Sequence, residues 1–201
     1  MKTLNVAASV VMGVLLGMVV IGCQSDSPVN VQTDSGIQSE PVIVNTELDG
    51  SGPTPIALPR AGTKKPVVSR SVTVTPSQGG SVDAVLEYTS ASTGKTVKVH
   101  AYLYVPAGAV NGNKTITMTM DTSVVGVQYA PKGLKFTGWS FLLLEAYNLD
   151  PIPSGSQIGF YYFNDNGGSE PRTWSSMTTT STSIKMIGGT VPHFSRYAFG
   201  R

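Results

Sequence analysis

Beyond residue 69, hydrophobic and polar residues alternate one for one through most of the chain, and clusters of turn-forming residues interrupt the alternation at short intervals. In "SVDAVLEYT" the side chains of Val82, Ala84, Leu86 and Tyr88 share one face while Asp83 and Glu87 take the other, the period-2 pattern of a half-buried strand. "TVKVHAYLYV" sets Val97, Val99, Ala101, Leu103 and Val105 against Lys98, His100, Tyr102 and Tyr104. "TITMTMDT" sets Ile116, Met118 and Met120 against Thr115, Thr117, Thr119 and Asp121. "SFLLLEAY" is apolar on both faces, as a central strand is. "QIGFYYF", the turn "NDNGGSEP" and "RTWSSM" predict a hairpin in which Trp174 lies back across the aromatic strand. "TSIKMIGG" and "TVPHFSRYAF" predict the closing strands, the last continuous through His193, Ser195, Tyr197 and Phe199. "PSQGG", "SASTGK" and "PAGAVNGNK" supply turns between them. No helical period of useful length appears in this region. The fold class expected is all-β, an antiparallel β-sandwich of about eight or nine short strands over residues 69–201.

The first part of the chain follows a different pattern. Lys2 precedes an apolar run from Val6 to Ile21, which ends at Gly22 and Cys23 and gives way at once to Gln24, Ser25 and Asp26. This is a secretion signal over residues 1–22. Its junction resembles the lipobox of bacterial lipoproteins. That resemblance implies cleavage between Gly22 and Cys23, diacylglycerol on the Cys23 sulfur and a further acyl chain, such as palmitate, on the new amine. Cys23 is the chain's one cysteine, so no internal disulfide staples the exported domain. Each buried acyl methylene contributes about 0.8 kcal/mol, so two or three chains fix the protein to the membrane. Gln24 after the lipidated position resembles outer-membrane sorting, which places the protein in the bacterial cell envelope. Loss of Lys2 with the signal lowers the formal charge from +2 to +1, too little to attract nucleic acid. Residues 23–68, rich in Ser, Pro, Gly and acids and without a sustained period, read as a lipidated, disordered tether.

Within the predicted sandwich, "GGSV" at 79–82, "VPAGAV" at 105–110, "PKGLKF" at 131–136, the aromatic hairpin at 161–174 and "HFSRYA" at 193–198 occur in an order similar to that of a known domain. It resembles the ZU-five-like domain of zona occludens scaffolds, uncoordinated-type netrin receptors and ankyrins, in the shorter form of bacterial surface proteins. The likeness covers residues 72–199. It departs at "FTGWSF", where Trp139 and Ser140 replace a usual proline. The resemblance implies a β-sandwich that serves as an interaction or structural module. Some members of the family cut themselves between Phe and Ser of a His-Phe-Ser motif.

That motif stands here as His193, Phe194 and Ser195. Cleavage asks Ser195 Oγ to attack the Phe194 carbonyl across a distorted turn. A continuous strand opposes it, because the peptide would lie in relaxed extended geometry, and the product would be only residues 195–201. The structural expectation is that Phe194 fills the core. His100, Tyr102 and Tyr104, with Tyr129, Trp139 and Tyr161, are candidates for an aromatic ligand platform for sugar or peptide. Two histidines and no nucleophile elbow give no hydrolase site, "NDNGG" lacks the spacing of a calcium loop, and neither histidine has partners at metal-ligand spacing. No cofactor or metal is expected. The function expected is a lipid-anchored, non-catalytic structural or protein-interaction module meeting an unidentified envelope or surface protein, with self-cleavage and glycan adhesion as alternatives. Sheet edges, where a partner adds a strand, are the contact surfaces expected.

Overall fold

A computed structural model describes residues 52–201. The signal segment, the positions Gly22 and Cys23 and the first part of the tether lie outside the described residues. Eleven strands and no helix make up the described part: β1 (Val68–Val74), β2 (Gly80–Thr89), β3 (Thr96–Val105), β4 (Lys114–Met120), β5 (Gly126–Ala130), β6 (Phe141–Tyr147), β7 (Gly159–Phe163), β8 (Ser169–Pro171), β9 (Ser176–Thr179), β10 (Ser183–Thr190) and β11 (Arg196–Gly200). They form two antiparallel sheets, a six-stranded one ordered β1-β4-β5-β11-β7-β8 and a five-stranded one ordered β2-β3-β6-β10-β9. The fold is a β-sandwich, with eleven strands rather than eight or nine.

The alternation dictates which side chains meet between the sheets. From the five-stranded sheet, Leu86, Val99, Leu103, Leu142, Leu144 and Met186 are fully buried; Ile116, Met118, Tyr129, Phe160, Tyr197 and Phe199 answer them from the six-stranded one. Each such aliphatic or phenylalanine side chain contributes about 1.5–3 kcal/mol relative to exposure. Register is tightly specified, since a one-residue slip would turn a buried row out to water. β2 and β3 pair over their whole length, from Gly80 opposite Val105 to Thr89 opposite Thr96. β3 and β6 pair with His100 opposite Glu145 and Tyr104 opposite Phe141. The chain crosses between sheets at the turn from Thr75 to Gly79, where the Gly79 N–H donates to Thr75 O at 2.8 Å. Gly79 has φ +68°, and a Cβ there would lie 2.2 Å from Val105 O, so both conformation and space demand glycine.

Four details differ from the sequence expectation. The end of the tether is packed rather than free: Ile56, Leu58 and Ala61 are buried, and the segment pairs in turn with Arg201, Phe199, Val125, Ser123 and Ala91. The Tyr88 hydroxyl donates to Pro59 O at 2.6 Å. Burial, and then Asp150, push that phenol up to about 12, so it remains a donor. This strap ties the six-stranded sheet to the end of β2, and the folded unit starts well before residue 69. Second, β1 and β5 add to the six-stranded sheet. Third, the partner of β7 is the three-residue β8; Trp174 lies beyond it, half-buried against the core, and β9 belongs to the other sheet. Fourth, the closing segment is two strands. β10 ends at Thr190, His193 forms an isolated bridge with Lys135, and β11 begins only at Arg196. Pro192 cannot donate to a ladder, which breaks the pairing there.

Candidate functional site

The outer face of the five-stranded sheet collects the predicted platform residues. His100, Tyr102 and Tyr104 point outward from β3, half-buried, because the intervening Val99, Ala101 and Leu103 fill the core. The register sets Asp83 and Ser81 beside Tyr102 and Tyr104 on one side, and Leu143 and Phe141 on the other. The loop before β6 is tied down by Thr137, whose N–H donates to Ala109 O at 2.9 Å and whose hydroxyl donates to Gly108 O at 2.6 Å. It delivers Trp139, 62% exposed, onto the same patch. Trp139 stacks on Phe141 at 5.3 Å and 11°, and Tyr104 lies 5.2 Å from Phe141 and 6.5 Å from Trp139. Four large hydrophobic side chains stand out as exposed among the described residues, and Val85, Trp139 and Ile187 of these lie on or beside this face. Next to Trp139, residues 138–140 and 190–192 line a shallow apolar trough of about 340 Å³.

Below the aromatic patch runs a polar ladder. His100 Nδ1 faces Glu145 Oε1 at 3.0 Å and its Nε2 faces Asp83 Oδ1 at 3.1 Å. A neutral imidazole donates to one of these carboxylates and an imidazolium to both. Glu145 also accepts from Tyr147 at 2.9 Å and pairs with Lys185 at 3.4 Å, while Glu87 pairs with Lys98 at 3.4 Å. Burial alone would raise the Glu145 carboxyl, but bonds from His100, Tyr147 and Lys185 together hold it below its ordinary 4.5. Among the described residues no three His, Cys, Asp or Glu side chains are grouped to hold a metal.

Two platform candidates fall elsewhere. Tyr129 is fully buried, stacked on Phe194 at 5.0 Å, because its position on β5 faces the core. Tyr161 belongs to β7 in the opposite sheet, near Phe163 at 6.1 Å. Phe141, Leu143, Val85 and Ile187 were not singled out in the sequence. The doubly apolar run "FLLL" conceals which of its members face outward, although Glu145 and Tyr147 two and four residues after Leu143 mark that face as the polar one.

No family model, curated protein or solved structure matches this chain.

The second place is the corner at residues 192–195. Phe194 is buried, with its ring 5.0 Å from both Tyr129 and Phe136. The Phe194 N–H donates to Leu134 O at 2.8 Å, and Phe194 O accepts from the Gly133 N–H at 3.0 Å. Ser195 is 7% exposed, its carbonyl accepts from the Tyr129 N–H at 2.8 Å, and its hydroxyl has no protein partner among the described residues. His193 sets its ring edge-on to Tyr162 at 4.5 Å, and its carbonyl accepts from the Tyr197 hydroxyl at 2.6 Å. Burial, and then the cations Arg172 and Lys135, hold the imidazole below its ordinary 6.5, against an opposing pull from Glu170. The Tyr197 phenol is pushed far up, chiefly by burial. His193, Ser195, Lys132, Lys135, Tyr162 and Asp165 border an open depression of about 320 Å³. The segment is a bend and not the continuous strand expected, so extended geometry does not protect the Phe194 peptide.

Proposed function

We propose that this chain is a bacterial envelope lipoprotein, anchored by acylated Cys23, whose ZU-five-like sandwich works by binding and not by catalysis. The carrying observation is the concentration of exposed apolar side chains, Val85, Trp139 and Ile187, with the half-buried rings of Tyr102, Tyr104 and Phe141, on one sheet face. A monomeric domain exposes such side chains singly unless they serve contact. Three of the four sheet edges favour strand addition less, since β8 has three residues, β9 has four and β2 carries Asp83 and Glu87; the fourth, the seven-residue β1, bears one charge, at Arg70. The anchor is tested by fractionating cells that express the chain or its Cys23→Ser variant. The wild type partitions with membranes and the variant is lost from them; equal retention of both contradicts the reading.

The bend at Phe194 favours self-processing as a second reading. The Gly133 N–H already polarises the Phe194 carbonyl, and Ser195, its hydroxyl without a protein partner among the described residues, borders the depression beside His193. Attack by Ser195 Oγ moves the acyl group from nitrogen to oxygen, and water then hydrolyses the ester to leave a Phe194 carboxylate. Residues 195–201 contain β11, which pairs with both β5 and β7, so the cut piece stays in the sheet. Intact mass under denaturing conditions decides: a loss of residues 195–201 that Ser195→Ala abolishes establishes processing, and an uncut wild type removes it.

A further inference from the structure

We propose that the outer face of the five-stranded sheet is a binding platform for an uncharged glycan, with Trp139, Tyr104 and Tyr102 as its stacking surface. The inference rests on the binding reading above and names the ligand class for it. A pyranose ring presents an apolar face of C–H groups and a rim of hydroxyls, so its partner needs exposed rings beside fixed hydrogen-bonding groups. Trp139 and Phe141 stack on one another and brace Tyr104. Tyr102 precedes Tyr104 by two positions on the same face of β3, which extends the rings along the strand. Neither the Tyr102 nor the Tyr104 hydroxyl is engaged by protein among the described residues, and Ser81 and Asp83 flank them from β2. The trough beside Trp139, about 340 Å³, lies at the small end of the volumes that hold a small molecule.

Charge selects among occupants. The bases of the face are each paired with an acid, Lys98 with Glu87 and Lys185 with Glu145, while Asp83 and Glu145 flank His100 on either side. Among the described residues no unpaired cationic cluster is left on this face to recruit an anionic lipid headgroup or an acidic polymer, which favours an uncharged ligand. The ladder also keeps its side chains in place, so little ordering is needed on binding. The point at which the tether enters agrees. A Cβ on Gly52 would lie 3.3 Å from Ser169 Oγ, and one on Gly200 would touch both Pro53 and Tyr161, so the chain arrives over the outer face of the six-stranded sheet. The aromatic patch is on the outer face of the other sheet, away from Gly52 and Pro53.

The test uses the full-length chain in a detergent that contains no sugar headgroup, titrated with short oligomers of neutral hexoses and of N-acetylhexosamines, with amide NMR and tryptophan fluorescence as readouts. Saturable binding is expected with shifts confined to β3, β6 and the loop at Trp139. Trp139→Ala and Tyr104→Ala each weaken it about tenfold with the amide spectrum otherwise preserved. Tyr161→Ala, on the opposite sheet, leaves the affinity unchanged. Absence of binding to every oligomer, binding that Trp139→Ala does not alter, or self-association through this face that Trp139→Ala abolishes would each overturn the proposal. Membrane partition of the same protein, read separately through Cys23→Ser, distinguishes failure of the ligand class from failure of the anchored-module reading.

Discussion

Replacing Leu58 by alanine asks whether the sandwich begins where the strap packs or only at the first long strand. Leu58 is 6% exposed, lies between buried Ile56 and Pro59, and its N–H donates to Ser123 O at 3.2 Å. Alanine keeps that backbone bond and removes only side-chain volume, so the effect isolates packing. Leu→Ala in well-packed sites destabilises by about 2–5 kcal/mol, and this site, at the rim of the core, belongs in the lower half, about 2–3 kcal/mol. In a domain of this size 1 kcal/mol moves Tm by roughly 2–4 °C, so thermal unfolding of the full-length chain is expected to shift down by about 5–10 °C. The exposed neighbour Ala57→Ser is the control and stays within about 0.5 kcal/mol of the wild type. Urea midpoints measured by circular dichroism give the same ordering. If Leu58→Ala unfolds within about 0.5 kcal/mol of the wild type, the strap is not part of the fold and the reasoning fails.

Tyr129 has a fully buried hydroxyl with no partner among the described residues, so Tyr129→Phe removes an uncompensated desolvation and is expected to stabilise by about 1 kcal/mol in urea unfolding; a comparable loss would mean the hydroxyl is satisfied in solution. Gly79→Ala, combining strain at φ +68° with a 2.2 Å approach to Val105 O, is expected to lose about 2–4 kcal/mol, while Gly112→Ala, at φ +86° in open space, loses about 1 kcal/mol; equal losses would refute the close contact. The depressed His193 imidazole means that the unfolded chain binds a proton more readily than the folded one. Its stabilising contribution is therefore complete above the ordinary value of 6.5 and falls away as pH drops through the lower folded value, and His193→Asn is expected to flatten the stability profile there. Glu145 acts in a lower window, its contribution fading as pH falls from the ordinary 4.5 through its depressed folded value.

The strands with long alternation, β2, β3 and β4, were legible because burial on one face writes itself directly into a period of 2, and β6 was legible as a doubly apolar central run. β5 was not, since "GVQYA" is short and Gly126 is there for a packing reason invisible in sequence: a Cβ would lie 2.6 Å from Tyr197 O on β11. The strap was hidden because Pro53, Pro55 and Pro59 give it a linker's composition, while only Ile56 and Leu58 alternate. The break before β11 depends on Pro192 and on the distant bridge between Lys135 and His193, a tertiary contact that the local run "VPHFSRYAF" does not encode. The platform was half legible. His100, Tyr102 and Tyr104 declare a common face by spacing alone, whereas Trp139 joins them through a loop whose anchoring to Gly108 and Ala109 requires the fold.

The most direct measurement is the intact mass, under denaturing conditions, of the protein extracted from the envelope of cells that produce it. The account predicts one species that begins at Cys23, carries the mass of its acyl chains and has the Phe194–Ser195 bond unbroken. An unacylated chain, or a separate piece that begins at Ser195, would contradict it.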